Sequence, residues 1–115
     1  MLDECLFCKI IKEDIPADIV DQTDYALAFR DINPQAKTHV LIIPKTHIAS
    51  TQGFNKQNMH YLTEMAILAN RISENEGISD NGYRWVVNTG DDGGQTVNHI
   101  HLHLLGGRKM HWPPG

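Results

Sequence analysis

His-Ile-His-Leu-His-Leu-Leu, at residues 99–105, has the clearest structural pattern in this chain. Polar and apolar side chains alternate through it, as they do along a β-strand whose two faces differ in environment. The three histidines are therefore expected on one face of a strand. Ile100, Leu102 and Leu104 are expected on the other face, toward the core.

The crowding of three imidazoles has a chemical consequence. Their charged forms would repel one another, so neighbouring rings and partial burial favour the neutral form near pH 7. A neutral ring whose other nitrogen donates to a carbonyl offers a fixed lone pair, as a nitrogen nucleophile attacking phosphorus requires. The same face would also suit a metal ion, and the spacing alone leaves both interpretations open.

A glycine-rich segment at residues 89–96, Thr-Gly-Asp-Asp-Gly-Gly-Gln-Thr, leads into the histidines. Gly93 and Gly94 would let backbone N–H groups approach an anion closely, and Thr96 adds a hydroxyl donor. A phosphate held there would meet the ring of His101 or His103. A simple turn between two strands is the alternative interpretation.

The rest of the chain predicts an α+β domain with an antiparallel sheet of about five strands, one long helix and one short helix. Besides residues 99–105, strands are predicted at residues 19–21, 25–30, 40–43 and 83–88. The short helix is predicted at residues 7–12. The long helix is predicted at residues 55–76, where apolar residues recur at three- and four-residue steps, namely Met59, Leu62, Met65, Ala66, Ala69 and Ile72.

The composition is that of a single globular domain over residues 1–115, with 41% hydrophobic and 21% charged residues. No apolar run approaches the roughly 18 residues of a membrane span, so no membrane partner is expected. The acidic N-terminal residues do not resemble a secretion signal, which favours a cytoplasmic protein. A net charge of −4 argues against a nucleic-acid polymer as partner but allows a nucleotide.

The pattern His-x-His-x-His-x-x with apolar x is the signature of the histidine triad (HIT) superfamily, and residues 99–105 match it at every position. The nucleotidyltransferase branch carries glutamine at the third histidine, so His103 favours the hydrolases. The chain resembles the Hint branch, the nucleotide-binding purine phosphoramidases, over nearly its whole length. The segments that carry this resemblance are residues 28–32, 34–36, 38–39, 41–45, 82–84, 87–88, 93–95, 105–108 and 110–115.

This resemblance implies a HIT-like fold and a role for each histidine of the site. His101 would be the nucleophile that takes the nucleotidyl group. His99 would orient it through its backbone carbonyl, and His103 would contact the phosphate. His39, on a neighbouring strand, would complete the cluster.

The resemblance also implies a binding site for a purine nucleotide of the AMP type. Asp31 would accept hydrogen bonds from the ribose hydroxyls, and Ile32 would lie against the base. The phosphate would be surrounded by Asn88, Gly94, Gln95 and Thr96. Trp112 would reach the partner's site in a homodimer whose two sheets join into one; a C-terminal anchor without a part in catalysis is the alternative.

Cys5, Cys8, His47 and His99 form a second constellation. Some bacterial members of the superfamily bind zinc through such a set, which implies a structural zinc site here; two reduced, unliganded cysteines are the alternative. No cofactor is expected to be required for catalysis.

The predicted function is hydrolysis of purine nucleoside 5′-monophosphoramidates and related acyl-nucleotides through a covalent nucleotidyl-histidine. Three alternatives stay open. The first is a dinucleoside polyphosphate hydrolase, and the second is a metal-dependent enzyme or zinc sensor built on His99, His101 and His103. The third is a nucleotide-dependent regulatory module.

Overall fold

The computed structural model describes residues 4–115, in which a five-stranded antiparallel sheet has helices on both faces. The elements in chain order are α1 (Leu6–Ile11), β1 (Ile19–Gln22), β2 (Ala26–Arg30), β3 (Thr38–Pro44), α2 (Met59–Asn75), β4 (Tyr83–Val87), α3 (Gly90–Gly93) and β5 (Leu102–Gly106), with a 3-10 turn at Thr51–Gly53. The strand order is β1-β2-β3-β5-β4, and all neighbours are antiparallel. The α+β fold predicted from the sequence is confirmed.

Strand β3 lies at the centre of the sheet, and all seven of its residues are buried. Its two faces contact different helices. Val40 and Ile42 pack in the cluster that contains the inner face of α2, whereas Leu41 and Ile43 pack with Phe7 of α1. Because both faces are covered, the run Val40–Ile43 within β3 is apolar at every position. His39 alternates with Val40 and therefore points toward the α1 side.

The long helix is shorter than the sequence predicted. Helix α2 begins at Met59, and residues 55–58 form a turn in which the Asn55 carboxamide accepts from the backbone N–H groups of Gln57 and Asn58. An asparagine that bonds to its own backbone favours a turn over a helix. The buried face carries Leu68 as well as the predicted Met65, Ala69 and Ile72, whereas Met59 is 43% exposed. Within residues 4–115, no helix is long and apolar enough to cross a membrane.

The histidine strand also begins later than predicted. Strand β5 starts at Leu102, so His99 and His101 lie in the segment that approaches it. The backbone N–H of Ile100 donates to the Ile48 carbonyl at 2.7 Å, outside the sheet ladder. The regular pairing with β3 starts only at Leu102, which is opposite Ile42.

Strand β4 forms one edge of the sheet, and one of its faces is apolar and uncovered. Tyr83, Trp85 and Val87 are exposed to 37%, 41% and 37%. Trp85 pairs with Leu104 and Val87 with Leu102, two leucines of the α2-side cluster. The three exposed residues, here called the β4 patch, therefore lie on the face that α2 covers elsewhere.

A two-pronged ion pair joins the end of α2 to β2. Arg30 Nη1 and Nη2 donate to the two carboxylate oxygens of Glu76 at 2.8 and 3.1 Å. This guanidinium holds the pKa of the Glu76 carboxyl below its usual value. The pair is partly exposed, which limits its contribution to stability.

We expect Glu76→Gln to lower the free energy of unfolding by about 1 kcal/mol or less at neutral pH. A carboxyl whose pKa is lowered on folding stabilises the protein above its unfolded pKa, near 4.5, and this contribution is lost as the pH falls through the folded pKa. We expect urea unfolding at neutral and acidic pH to show that the difference in free energy of unfolding between wild type and variant decreases below pH 4.5. Glu74→Gln, on an exposed side chain of the same helix, is the control, and an equal pH dependence in both variants would contradict the assignment.

Candidate active site

A cavity of about 640 Å³ between α1 and the sheet contains two of the triad histidines. Its polar lining includes Asp31, Thr96, His101 and His103, and its apolar lining includes Phe7, Ile10 and Phe29. The volume lies in the usual range for small-molecule sites, as does the mixture of an apolar wall with a few convergent polar groups. A smaller, more polar cavity at Lys37 and Arg108 contains no triad residue.

His101 is held by a backbone group that fixes the position of its ring proton. His101 Nδ1 lies 2.9 Å from the carbonyl oxygen of His99, and since a carbonyl only accepts, Nδ1–H is the donor. In the neutral ring Nε2 then carries the lone pair. Every buried side-chain nitrogen or oxygen of residues 4–115 has a hydrogen-bond partner, so Nε2, which has none there, reaches open space.

His39 and His103 form a second pair. In both of these rings the proton lies on Nε2, whereas in His101 it lies on Nδ1. The backbone N–H of Gln35 donates to His39 Nδ1 at 3.0 Å, so the proton of His39 lies on Nε2. His39 Nε2 lies 2.9 Å from His103 Nδ1 and donates to it. The neutral ring of His103 therefore carries its proton on Nε2. One cavity thus contains a lone pair on His101 and an N–H donor on His103.

Burial keeps the rings of His39 and His103 neutral. It lowers the pKa of His103 to about 4, and the neighbouring rings of His101 and His39 act in the same direction, against Asp31. Burial also lowers the pKa of His39, although Asp31 Oδ2 lies only 3.4 Å from its Nε2. The His39–Asp31 contact is therefore a polar contact of a neutral ring and not an ion pair.

Asp31 and Ile32 lie at the end of the cavity nearest to β2. Asp31 Oδ1 accepts from the backbone N–H of Asn33 at 2.8 Å, which fixes the orientation of the carboxylate. Ile32 is fully exposed, at 101% of its reference surface. The pair offers a charged acceptor next to an uncovered apolar side chain, which suits a ligand with hydroxyl groups beside a flat apolar group.

The glycine-rich loop contains the short helix α3, and its predicted phosphate ligands do not all lie at the cavity. Of Asn88, Gly94, Gln95 and Thr96, all within the described residues, Thr96 lines the cavity and the other three do not. The backbone N–H groups of Gly94 and Gln95 donate to loop carbonyls at 3.0 Å. A phosphate role for these residues stays a prediction.

Gln95 instead holds the loop together through its carboxamide. Its Oε1 accepts from the N–H of Gly90 at 3.0 Å, and its Nε2 donates to the carbonyls of Ala49 and Val97 at 2.7 and 3.0 Å. The side chain thereby joins the segment at Ala49 to Gly90 and Val97, on either side of Gln95 in the sequence. It positions Thr96, the next residue, at the cavity wall.

The C-terminal tail is held by two backbone carbonyl contacts of arginine side chains. Arg84 donates to the carbonyl of His111 at 2.9 Å, and Arg108 donates to that of Gln35 at 2.9 Å. Trp112 is 80% exposed. It does not line the cavity formed by residues of its own chain.

The four predicted metal ligands come together beside the cavity. Cys5 Sγ lies 3.4 Å from His99 Nδ1, Cys8 Sγ lies 3.4 Å from His47 Nδ1, and Cys8 Sγ lies 3.6 Å from His99 Nδ1. All four ligand atoms are within 4.8 Å of one another. Tetrahedral zinc, bonded at about 2.3 Å to sulfur and about 2.0 Å to nitrogen, places its ligand atoms roughly 3.5 Å apart, so the spacing fits this metal.

His99 has the tautomer that this cluster requires. Its Nε2 donates to the carbonyl of Pro44 at 3.0 Å, which leaves the lone pair on Nδ1, facing the sulfurs. Burial lowers the pKa of His99 to about 4, so the ring is neutral at physiological pH. Burial, with help from Cys5, raises the pKa of the Cys8 thiol to about 11. Without a cation this thiol therefore stays protonated.

The three triad histidines do not converge on one point. Within residues 4–115, His99 belongs to the cysteine cluster, and His103 groups with Asp31 and His39; His101 belongs to neither set. The prediction that all three rings share one strand face is therefore wrong for His99, which precedes β5 and turns toward α1. A single metal bound by His99, His101 and His103 does not fit this arrangement.

Two contributors to the site were not predicted from the sequence. Phe7 is 4% exposed, and its ring edge contacts His101 at a centroid distance of 5.2 Å and His99 at 5.8 Å. The backbone N–H of Gln35 fixes the tautomer of His39. The three-residue step from Phe7 to Ile10 could have indicated the first, whereas no sequence pattern indicates a backbone donor.

The comparisons with known proteins agree with this geometry. Residues 12–110 match the family model described as HIT domain. The chain is 49% identical to the purine nucleoside phosphoramidase of Escherichia coli over 96% of this chain and 92% of that protein. It is 48% identical to a HIT-like protein of Synechococcus elongatus over the full length of both chains.

Solved structures give the same result. The crystal structure of a HIT family hydrolase from Legionella pneumophila superposes with a TM-score of 0.95 at 54% identity, covering 97% of this chain and 100% of that one. A HIT family hydrolase from Clostridium thermocellum gives 0.93 at 46% identity, covering 96% of each chain. With a triad whose rings are fixed in a cavity and a family match over most of its length, the chain belongs to the HIT domain family, and its hydrolase relatives support a nucleotide hydrolase.

Proposed function

We propose that this protein hydrolyses purine nucleoside 5′-monophosphoramidates, and related acyl-nucleotides, with His101 as the nucleophile. The observation that carries the proposal is that the proton lies on Nδ1 in His101 but on Nε2 in His103. The two rings are neighbours, with centroids 5.0 Å apart. His101 offers a lone pair to phosphorus, and His103 offers an N–H to a phosphoryl oxygen. The similarity to proteins named purine nucleoside phosphoramidase supports the choice of substrate.

The cavity suggests how an AMP-type nucleotide would bind. The base would lie against the apolar wall from α1 and against Ile32, which is otherwise exposed. The ribose hydroxyls would donate to Asp31, whose orientation is already fixed. The phosphate would then lie near Thr96, His101 and His103.

The reaction would follow in two displacements. His101 Nε2 forms a bond to the α-phosphorus while the phosphorus–nitrogen bond breaks, and the amine leaves with its electron pair and takes a proton from solvent. Water then attacks the nucleotidyl-histidine, releases the nucleoside monophosphate and restores the neutral ring. Positive charge develops on the imidazole of His101 in the first step. The carbonyl of His99 stabilises it, and neutral His103 and His39 do not oppose it.

We expect His101→Ala to reduce turnover of adenosine 5′-phosphoramidate by about 10⁴-fold or more, the scale on which a catalytic nucleophile is lost. Affinity for AMP should change by less than about tenfold, because Asp31 and the apolar wall remain. Steady-state kinetics and calorimetry measure the two quantities. His60→Ala, on an exposed histidine of α2, is the matched control; a rate for His101→Ala close to that of the control would contradict the covalent mechanism.

We further propose that Cys5, Cys8, His47 and His99 bind a structural zinc ion. The ligand spacing and the tautomer of His99 support this assignment. A zinc ion there would hold the cysteines as thiolates and tie α1 to the loops that carry the two histidines. Catalysis would not depend on it directly, since His101 and His103 lie outside the donor set.

Protein purified without chelator should contain up to one zinc ion per chain, as a single tetrahedral four-ligand set allows. His47→Ala should lose the metal and lower the melting temperature by about 5 °C or more, since 1 kcal/mol corresponds to about 4–8 °C in a small domain. Elemental analysis and thermal unfolding measure these changes, with His60→Ala as the control. An unchanged zinc content in His47→Ala would rule out this ligand set.

We also propose a two-fold homodimer that joins two sheets at β4. The β4 patch leaves three large apolar side chains uncovered along a strand whose outer backbone groups lie at the sheet edge. Trp112, 80% exposed and away from the cavity of its own chain, would border the partner's cavity. Edge pairing would place the β4 patches of the two subunits side by side, so that their apolar side chains contact each other.

Trp85→Asp should convert the dimer to a monomer in sedimentation experiments at micromolar concentration. A buried, unpaired charge at the interface would oppose association. Ile19→Asp, on a 43% exposed residue of the opposite edge strand, is the control and should stay dimeric.

Deletion of residues 109–115 should retain the dimer but alter the preference among leaving groups. A monomeric wild type would rule out the assembly.

A further inference from the structure

Helix α1 links the cysteine cluster to the nucleotide cavity. One side of this helix carries Cys8, with Cys5 as its N-cap, whereas the other side carries Phe7 and Ile10 into the cavity wall. The helix has only six residues and is too short to be stable by itself. Its position therefore depends on its contacts with the rest of the protein.

Those contacts are of two kinds. Phe7 and Ile10 pack in the apolar cluster on the α1 side of the sheet. The sulfurs of Cys5 and Cys8 contact the imidazoles of His99 and His47, at 3.4 Å each. Within residues 4–115, the sulfur–imidazole contacts are the only polar contacts between helix α1 and the segments that contain His47 and His99.

The two sulfurs are also close to each other, and Cys5 lines a groove that opens to solvent. They lie within 4.8 Å of each other, and Cys8 N–H donates to Cys5 Sγ at 3.4 Å across the first turn of the helix. A groove of about 510 Å³ reaches the cluster and is lined by Cys5 and His47. The groove and the nucleotide cavity share Leu6, Thr96 and Val97 as walls.

We propose that Cys5 and Cys8 of the metal-free protein form a thiol switch, in which oxidation to a disulfide detaches α1 from His47 and His99 and weakens nucleotide binding in the adjacent cavity. A disulfide brings the sulfurs to about 2.05 Å, which requires both to move toward each other. The oxidised sulfurs have no proton to donate to an imidazole. They also lack the negative charge that binds a cation.

The oxidant is a hydroperoxide. The Cys5 sulfur, which faces the groove, attacks the terminal peroxide oxygen, so that the oxygen–oxygen bond breaks and an alcohol, or water from hydrogen peroxide, leaves. Cys8 sulfur then attacks the resulting sulfenic acid of Cys5. The sulfur–sulfur bond forms, the sulfur–oxygen bond breaks, and water leaves with the proton of Cys8. The two thiols lose two electrons and two protons, which reduce the peroxide.

The consequence for binding follows from the double role of α1. When the sulfur contacts are lost, only the apolar packing of Phe7 and Ile10 positions the cavity wall. The nucleotide then has to order this wall as it binds, which reduces its affinity. This consequence rests on the proposed function, whereas disulfide formation and release of the helix do not.

The test compares reduced and peroxide-treated wild-type protein, both free of zinc by elemental analysis, after removal of the oxidant. We expect intact-mass analysis to show the loss of two hydrogens per chain, reversed by dithiothreitol. Amide hydrogen exchange in residues 6–12 should become faster in the oxidised protein, while exchange in β3 stays unchanged. Affinity for AMP, measured by calorimetry, should fall by about tenfold.

Cys5→Ser, which lacks the sulfur that attacks the peroxide and cannot form the internal disulfide, serves as the control for other oxidation. Peroxide should leave its exchange and its AMP affinity unchanged, and methionine oxidation is recognised by an added oxygen that dithiothreitol does not remove. Failure to form the internal disulfide would overturn the proposal, as would a disulfide without faster exchange in residues 6–12. Faster exchange with unchanged AMP affinity would overturn the link to the cavity. Loss of phosphoramidase activity in the reduced protein would instead count against the proposed function alone.

Discussion

The hydrogen bond from His101 Nδ1 to the His99 carbonyl is the interaction on which the site depends most. A backbone carbonyl cannot reverse its role, so this 2.9 Å contact fixes the proton on one nitrogen and the lone pair on the other. The backbone N–H of Gln35 does the same for His39 and, through it, for His103. The chemistry of the rings is therefore set by main-chain groups, which mutation of side chains does not remove.

The fold was largely predictable, because the spacing of apolar side chains along the sequence indicates its strands and helices. The run Val40–Ile43 has no polar face, and β3 is indeed covered on both sides. The boundaries were less predictable where a competing hydrogen bond ends the pattern. Residues 55–58 form an asparagine turn, and Ile100 donates to Ile48 and not to a neighbouring strand. Both bonds join groups whose partners the pattern of apolar residues does not specify.

The site was predictable in its residue types but not in its grouping. The motif indicates three histidines on one face, yet His99 turns to the cysteines while His101 and His103 face the cavity. Alternation describes a regular strand, and the segment before β5 is not regular. Gln95 shows a related limit, since its carboxamide donates to the carbonyl of Ala49, 46 residues away in the sequence.

Ile32 has a consequence for the thermodynamics of ligand binding. Its side chain is as exposed in the folded protein as in an extended peptide, so folding removes none of its surface from water. The hydration of this side chain is therefore displaced only when a ligand covers it. Removal of apolar surface from water lowers the heat capacity. The association of a planar heterocycle with this rim should thus carry a negative heat-capacity change, to which Ile32 contributes and which a sugar phosphate without the heterocycle would largely lack.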